Sequence, residues 1–526
     1  MQYNEKQETS QQSHIFLLIQ FINCINIFLM NDSLNVFDRE TGLYSENYLL
    51  LRLHEELGRH RTGRYNLAFI SLEIPGFMAA IIPYWEEKKD IYNTIKHIVN
   101  SVFRNKAIIV ALEPHKFFIA LPKVKKNETL QKCSDMLNKL QIYVKNKFEI
   151  PLKLHAGISF YPQHAQNSHE LIHYAELALS HCITTNNSVT VYSKKGLNHF
   201  RCRDVFVDRV KELTEIYRSV KKSLQGDNII ISISGGLGVG KTQLLKHLSY
   251  IFPKDKYKII YTSTSAIHTL PLYYPLDHVI KAIFSDRRFQ MKNNIPRFKK
   301  GLFTVIPTAD QNLEKSEEIA VSPDTRWLEV MIGPLLKASK ITPIIIAIDD
   351  FQYINKKSLE FFKVLLQKAR NHPLAFIITH TYGESSLKHL LSIPNYKLKK
   401  IVVSPLDFSS SCRMLKYFLN GGKLDKDLVQ QIYSVTKGNP FFMGQVVKYL
   451  YEKGTLIWNP EKGWQILKKD NIIPENLKKL IKKRIHGLST RERRILNAVV
   501  VAGTRIGIDA LQYITCLLYT SDAADE

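Results

Sequence analysis

The sequence predicts an α/β protein: an N-terminal α+β domain, then a domain built on a mostly parallel sheet, with a helical region behind it. Three observations predict this. The glycine-rich segment Gly235-Gly236-Leu237-Gly238-Val239-Gly240-Lys241-Thr242 stands between an apolar run and a helical pattern. Short apolar runs at 228–234, 257–263, 343–348, 374–379 and 400–404 alternate with helical patterns, as parallel strands joined by crossover helices do. Upstream of them lies a separate set of elements that includes its own apolar strand, NLAFISLEI, at 66–74.

The glycine-rich segment fits G-x-x-x-x-G-K-[ST] at every fixed position, and its surroundings turn a pattern into an argument. Asn228 to Ser234 (NIIISIS) reads as a buried strand. Gln243 to Phe252 reads as a helix whose Leu244, Leu245, Leu248 and Ile251 share one face. Gly235, Gly236, Gly238 and Gly240 let backbone N–H groups close around phosphate oxygens, and the helix N-terminus adds partial positive charge. Lys241 is placed to reach the β- and γ-phosphates, and the Thr242 hydroxyl to bind Mg²⁺.

A second element supports the first. Pro343 to Asp350 reads PIIIAIDD, a buried strand that delivers two carboxylates to the carboxyl edge of a sheet, where nucleotides bind in α/β folds. Asp349 is the expected Mg²⁺ partner, through water, and Asp350 the group expected to polarise the attacking water. Taken alone, two aspartates after a strand read as a helix N-cap. Beside a phosphate loop they read as a site.

The flanking text narrows the type. Asp349-Asp350-Phe351-Gln352 is followed by Ser358-Leu359-Glu360, then Phe376-Ile377-Ile378-Thr379-His380-Thr381, then Thr436-Lys437-Gly438-Asn439-Pro440-Phe441-Phe442. The series resembles the signal-transduction ATPases with numerous domains (STAND), in the subgroup whose module is also described as origin-recognition-like AAA. The likeness begins at Phe206-Val207-Asp208-Arg209 and Glu212-Leu213, which look like the family's opening motif, and runs to about Ala510. It implies a P-loop NTPase domain over 196–405, a helical lid over 406–480 and the start of a winged helix over 481–515. It also implies that Pro440 lies near the base or ribose of bound ATP or ADP. Relatives often carry Thr-Tyr-Arg after the fourth strand, whereas this chain has Thr379-His380-Thr381-Tyr382-Gly383. Without that arginine, His380 or Thr381 is left as γ-phosphate sensor, and switch-like binding with slow hydrolysis is expected over fast turnover.

The coarse pattern agrees with this layout. Leu359, Phe362, Leu366 and Ala369 recur at helical spacing between two strands. Residues 285–325 are polar and basic without a clean period and read as an insertion or loop. From about 406 the pattern is helical. Ser489 to Glu492 is a capping-box signature that opens the helix carrying Ile495, Leu496 and Val499.

The first third (30–195) is another domain. Asp38-Arg39-Glu40-Thr41-Gly42-Leu43 opens it; Ala156-Gly157-Ile158-Ser159-Phe160-Tyr161-Pro162 and Ala175-Glu176-Leu177-Ala178-Leu179 come near its end. These pieces, in this order, resemble a GGDEF domain, the fold of diguanylate cyclases, so an α+β cyclase-like fold is implied. The signature itself is replaced by Glu113-Pro114-His115-Lys116-Phe117. The glycines that let backbone approach GTP are gone. Lys116 stands where a metal-binding acid belongs, and Pro75 replaces the second aspartate of the strand that ends near Glu73. A degenerate regulatory domain is expected, and diguanylate cyclase activity is not. Arg104 resembles a remnant of the product-inhibition motif, but Ala107 removes its acidic partner.

Composition sets outer limits. A chain of 526 residues with 45% hydrophobic and 23% charged content is that of a globular protein of several domains. The net charge of +25 admits DNA or an acidic membrane surface as partner, but the excess is dispersed. The densest cluster, Lys478, Lys479, Lys482, Lys483 and Arg484 with Arg491, Arg493 and Arg494 beyond, reads either as a DNA-facing surface or as a solvated helix face. The six cysteines show no metal spacing and fit reduced thiols in a cytoplasm.

The ends carry their own expectations. Ile15 to Met30 is apolar but shorter than the ~20 residues of a membrane-spanning helix. Met30 reads as an alternative start, with 1–29 an N-terminal extension, or else 1–29 is a leading amphipathic helix. Cys516 to Glu526 resembles the translation of a transposon-type sequencing adapter, so the winged helix and an effector region beyond it are expected to be cut short.

Together these readings describe a cytoplasmic bacterial regulatory ATPase. A degenerate cyclase-like domain precedes an ATP/ADP switch, and protein partners engage through the missing effector. An origin-recognition-like DNA-binding ATPase is the alternative, followed by a diguanylate cyclase and by a scaffold that has lost ATP chemistry.

Overall fold

Two five-stranded sheets organise the chain, and each belongs to its own unit. The computed structural model describes residues 36–60, 66–193, 206–264, 275–284, 286, 288–289, 323–381, 396–421, 423–459, 462–466 and 477–502. One unit draws on 1–75, 84–143 and 153–197, the other on 76–83, 144–152 and 198–526.

In the first unit the order of elements is α1 (Glu46–His60), β1 (Asn66–Glu73), α2 (Lys88–Phe103), β2 (Ile108–Glu113), β3 (Lys116–Val124), α3 (Lys126–Phe148), β4 (His155–Tyr161), α4 (Ser168–Thr184) and β5 (Val189–Val191). The strands lie in the order β2-β3-β1-β4-β5, with β1 antiparallel to both neighbours. Strand β1 is central and buried from Leu67 to Glu73, which explains why its apolar run is continuous and does not alternate. Helix α4 lies directly on β4. A Cβ on Gly157 would stand 2.1 Å from the Leu179 nitrogen and 2.2 Å from the Ala175 oxygen, so only glycine admits this approach of helix to strand. The helix begins where Asn167 accepts a hydrogen bond from the Glu170 N–H.

The second unit runs α5 (Val210–Leu224), β6 (Ile229–Gly235), α6 (Lys241–Ile251), β7 (Lys258–Ser263), α7 (Leu276–Phe284), α8 (Pro323–Ile341), β8 (Ile344–Asp349), α9 (Lys356–Lys368), β9 (Leu374–His380) and β10 (Lys397–Val403). Its strands lie in the order β10-β6-β9-β8-β7, all parallel. On one face Ile344, Ile346, Ile348, Phe376 and Ile378 pack against Phe361, Phe362 and Leu365 of α9 and against apolar residues of α7 and α8. Strand β10 extends three residues ahead of the run read from sequence. Its Lys397 and Lys400 are exposed on an edge strand, where lysine is tolerated but masks the apolar signal. The 285–325 segment is not wholly loop either: Phe289 is buried in the core, and α8 begins at Pro323. Residues 290–322 lie outside the described residues.

Behind the sheet come α10 (Phe408–Phe418), α11 (Lys426–Thr436), α12 (Pro440–Glu452), β11 (Leu456–Asn459), β12 (Gly463–Ile466), α13 (Leu477–His486) and α14 (Thr490–Ala502). The β11–β12 hairpin departs from the all-helical reading. Its strands are too short to show a period, and what secures them is non-local: Trp464 is buried among α10, α11 and α12 and its Nε1 donates to the Leu419 carbonyl at 3.0 Å. The capping box is present, with Glu492 N–H donating to Ser489 Oγ at 3.2 Å and Ser489 N–H to Glu492 Oε2 at 2.8 Å. Residues 503–526, which hold the rest of the expected winged helix and the adapter-like string, lie outside the described residues, as do 1–35.

Two carboxylates are expected to make the second unit acid-sensitive. The Arg288 guanidinium, with Lys258 beside it, holds the Asp286 carboxyl well below the usual range, and the Ser410 N–H lowers that of Asp407, the cap of α10. Both are depressed in the folded state. Their contribution is therefore complete above an unfolded pKa of about 4 and is lost as pH falls through the folded values. We expect the urea midpoint of this unit to fall below pH 4, and the double variant Asp286→Asn/Asp407→Asn to flatten that dependence. A variant whose acid profile overlays the wild type would show that other groups carry it.

Candidate functional site

The phosphate loop is built at the junction of β6 and α6, and five of its carbonyls are tied off in succession. Lys241, 7% exposed, starts the helix, and its Nζ donates to the Gly235 and Gly236 oxygens at 2.9 Å each. Asn439 Nδ2 donates to the Leu237 oxygen at 2.8 Å, Phe441 N–H to Gly238 at 3.3 Å, and Arg209 to Val239 at 3.2 Å. Gly238 and Gly240 have φ of 79° and 105°, the left-handed region that glycine enters without strain. Among the described residues the N–H groups of Gly236 to Gly240 donate to no backbone carbonyl. A run of uncommitted amides at a helix N-terminus is an anion site.

The helix begins two residues earlier than the sequence pattern suggests, at Lys241, so Thr242 sits in its first turn. In this arrangement the Lys241 ammonium holds the loop's own carbonyls. Phosphate oxygens offer it stronger, charge-assisted acceptors.

The acidic pair lies at the carboxyl end of β8, separated from β6 by β9. Asp349 is buried; its Oδ2 accepts the Tyr261 hydroxyl at 3.0 Å and its Oδ1 the Thr379 hydroxyl. Asp350 has φ 53°, its N–H donates to Thr379 Oγ1 at 2.9 Å, and its Oδ1 accepts Gln352 Nε2 at 3.2 Å. Its side chain caps no helix, and Asn355 caps α9 instead, which removes the helix-cap reading of this pair. Thr379 therefore touches both acids. His380, which the sequence offered with Thr381 as sensor, bonds elsewhere than to the acids: its Nε2 meets Ser232 Oγ at 2.8 Å and its Nδ1 the Thr381 carbonyl at 2.6 Å. Strand alternation explains the difference, because Thr379 and His380 face opposite sides of the sheet.

The helical region that follows β10 reaches the loop through Gly438-Asn439-Pro440-Phe441. Pro440 occupies the first turn of α12, and Asn439 has two roles: Oδ1 accepts the Phe442 N–H at 3.0 Å while Nδ2 holds the Leu237 carbonyl. Leu406 N–H donates to the Gly438 oxygen at 2.8 Å. Arg209, at φ 76°, joins the opposite side by donating to Ser404 at 2.7 Å and pairing with Glu212 at 2.9 Å. The sequence flagged Asp208-Arg209 only as an opening motif; nothing local signals that Arg209 braces the phosphate loop.

The oxygen donors fit magnesium. A hydroxyl at Thr242 and a carboxylate at Asp349 are hard ligands of the kind that ion takes alongside phosphate oxygens and water. The corresponding region of the first unit does not fit a divalent cation. Lys116 opens β3 after the Pro114–His115 turn, and its ammonium pairs with Glu176 of α4, which also accepts the Ser71 hydroxyl. Glu73 stands in register with Lys116 on one side and His155 on the other. The ammonium already supplies positive charge to this buried ring, and a second cation there would meet repulsion. Among the described residues no cluster of three or more His, Cys, Asp or Glu is arranged to hold a metal. The basic cluster is partly committed: Arg484 bonds to Gln445 at 2.6 Å and to Glu452, while Lys478, Lys479 and Lys482 are exposed.

Known proteins divide the chain as the sheets do. Residues 35–186 match the family described as diguanylate cyclase, GGDEF domain, and 206–446 match the ATPase domain predominantly from Archaea. The chain joins a GGDEF domain to an ATP-binding, P-loop ATPase domain. An uncharacterized ATP-binding protein of Methanocaldococcus jannaschii is 25% identical over 272 residues, covering 46% of this chain and 69% of that protein. Among solved structures, the YfiN GGDEF domain of Pseudomonas aeruginosa aligns at 16% identity over 30% of this chain and 94% of its own, with a TM-score of 0.26. The active GGEEF domain of a Vibrio cholerae diguanylate cyclase aligns at 13% over 29% and 98%, with a TM-score of 0.26. No helix among the described residues is long and apolar enough to cross a membrane.

Proposed function

We propose that this protein is a regulatory ATPase of the signal-transduction, origin-recognition-like AAA type. It works as a nucleotide-dependent switch, and its GGDEF domain is catalytically inactive. The observation that carries the reading is the pair of bonds from Asn439 and Phe441 to the phosphate-loop carbonyls of Leu237 and Gly238. A lid fastened to the loop that grips phosphate changes its own equilibrium whenever that loop is occupied, by linkage.

The chemistry assigned to each group follows from its place. Gly235, Gly236, Gly238 and Gly240 shape the phosphate cradle, and Lys241 neutralises the β- and γ-phosphates. Thr242 and Asp349 hold Mg²⁺, which when bound offsets the negative charge of the phosphates. Asp350 orients and deprotonates the attacking water, with Thr379 setting its backbone through the 2.9 Å bond. Pro440 flanks the nucleotide from the lid. Slow hydrolysis is expected because no arginine follows β9 in 380–381 to stabilise transition-state charge.

Lys241→Ala tests this. Losing a charge-assisted bond of about 2–3 kcal/mol should weaken ATP binding about 30- to 150-fold. Hydrogen exchange of the α12 amides should change on ATP addition in the wild type and not in the variant. ATP affinity unaffected by Lys241→Ala would end the site assignment; tight binding with unaltered α12 exchange would end the switch.

A further inference from the structure

The residue that completes the acidic site comes from a strand that carries no motif. Strand β7 is the sheet edge, paired to β8 in parallel register with Tyr261 opposite Ala347 and Ser263 opposite Asp349. Its end is stitched to the backbone of both aspartates: the Thr264 N–H donates to the Asp349 main-chain carbonyl at 2.9 Å, and the Thr264 hydroxyl to the Asp350 main-chain carbonyl. From this anchored strand the Tyr261 hydroxyl reaches Asp349 Oδ2 at 3.0 Å while Thr379 takes Oδ1.

We propose that Tyr261 is a positioning residue for magnesium, acting through Asp349. This inference rests on the ATP–magnesium reading of the site. A carboxylate bound by one donor can still swing about its last torsion; one held at both oxygens by donors from two flanking strands cannot, without breaking a bond. Each oxygen keeps a second lone pair for a metal-bound water. Tyr261 and Thr379 thus fix the plane in which those lone pairs point, the task of the outer hydrogen bonds around metal ligands. Of the two, Tyr261 is the cleaner probe. Thr379 also accepts the Asp350 N–H, so removing it disturbs both acids, whereas Tyr261→Phe deletes one oxygen.

The test is the magnesium dependence of nucleotide binding in full-length protein. ATP affinity is measured across a Mg²⁺ titration and, separately, in excess EDTA, with the melting temperature as a check on folding. Tyr261→Phe is expected to raise the Mg²⁺ concentration at half-effect by about 10-fold, at the low end of what outer-shell substitutions cost. Affinity in EDTA should stay at the wild-type value. An unchanged Mg²⁺ titration overturns the proposal, and so does an equal loss in both arms, which would mark a merely structural tyrosine. A wild-type protein that binds ATP equally with and without Mg²⁺ overturns it together with the metal part of the site; one that binds no ATP overturns the whole reading.

Discussion

Lys116→Ala is expected to destabilise the first unit by about 3–5 kcal/mol, the usual result of leaving one member of a buried ion pair alone. The pair qualifies: Lys116 and Glu176 side chains are 5% and 3% exposed, and the Ser71 hydroxyl donates to the same carboxylate. Truncating the lysine leaves the buried carboxylate of Glu176 on α4 without its counter-ion. The same reasoning predicts rescue. Lys116→Met with Glu176→Leu removes both charges at similar volume and should recover most of the lost stability, because the pair's mutual attraction largely offsets its desolvation. Urea unfolding of the full chain, followed through the first-unit transition, measures both. A single variant within about 0.5 kcal/mol of wild type, the range of ordinary surface changes, would show that water or rearrangement satisfies Glu176.

Gly438→Ala should be nearly as costly to the second unit and should also loosen the phosphate loop. At φ +75° alanine pays about 1–2 kcal/mol of left-handed strain. Its Cβ would also stand 1.9 Å from the Leu406 carbonyl oxygen, a backbone atom that cannot swing aside. Overpacking of this kind adds about 1–3 kcal/mol. Gly454 is the control: its φ is +65°, yet nothing lies within 4 Å of a Cβ there. Gly454→Ala should show only the strain, while Gly438→Ala shows strain plus clash and, by displacing Asn439 from the Leu237 carbonyl, weaker ATP binding. Equal losses for the two variants would remove the clash, and with it the argument that residues 438–441 are seated rigidly on the loop.

Much of the local geometry of the candidate site was legible from residues adjacent in the chain. Gly235 to Thr242 form a phosphate loop because glycine spacing, a preceding apolar strand and a following helix are local properties, and β8 ends in Asp349 for the same reason. The strands of the parallel sheet showed as continuous apolar runs since both faces are covered. Strand β10 was cut short because edge lysines interrupt that run, and the β11–β12 hairpin was missed because four-residue strands carry no measurable period. The contact between β9 and the acids was not legible for a related reason: residue type drew attention to His380 and Thr381, whereas strand alternation aims Thr379 at the acids and His380 at Ser232.

Local chemistry, then, fixed the element types, the phosphate cradle, the acidic strand and the loss of the glycine signature at 113–117. Pairings between distant residues left no mark in any window of sequence: Tyr261 on Asp349, Arg209 on Val239 and Ser404, Asn439 on Leu237, Lys116 on Glu176. Hydrogen bonds and buried ion pairs act over about 3 Å, so they depend on which strands become neighbours and which face each side chain takes. Those are decided only once the sheets have closed and the apolar faces are buried.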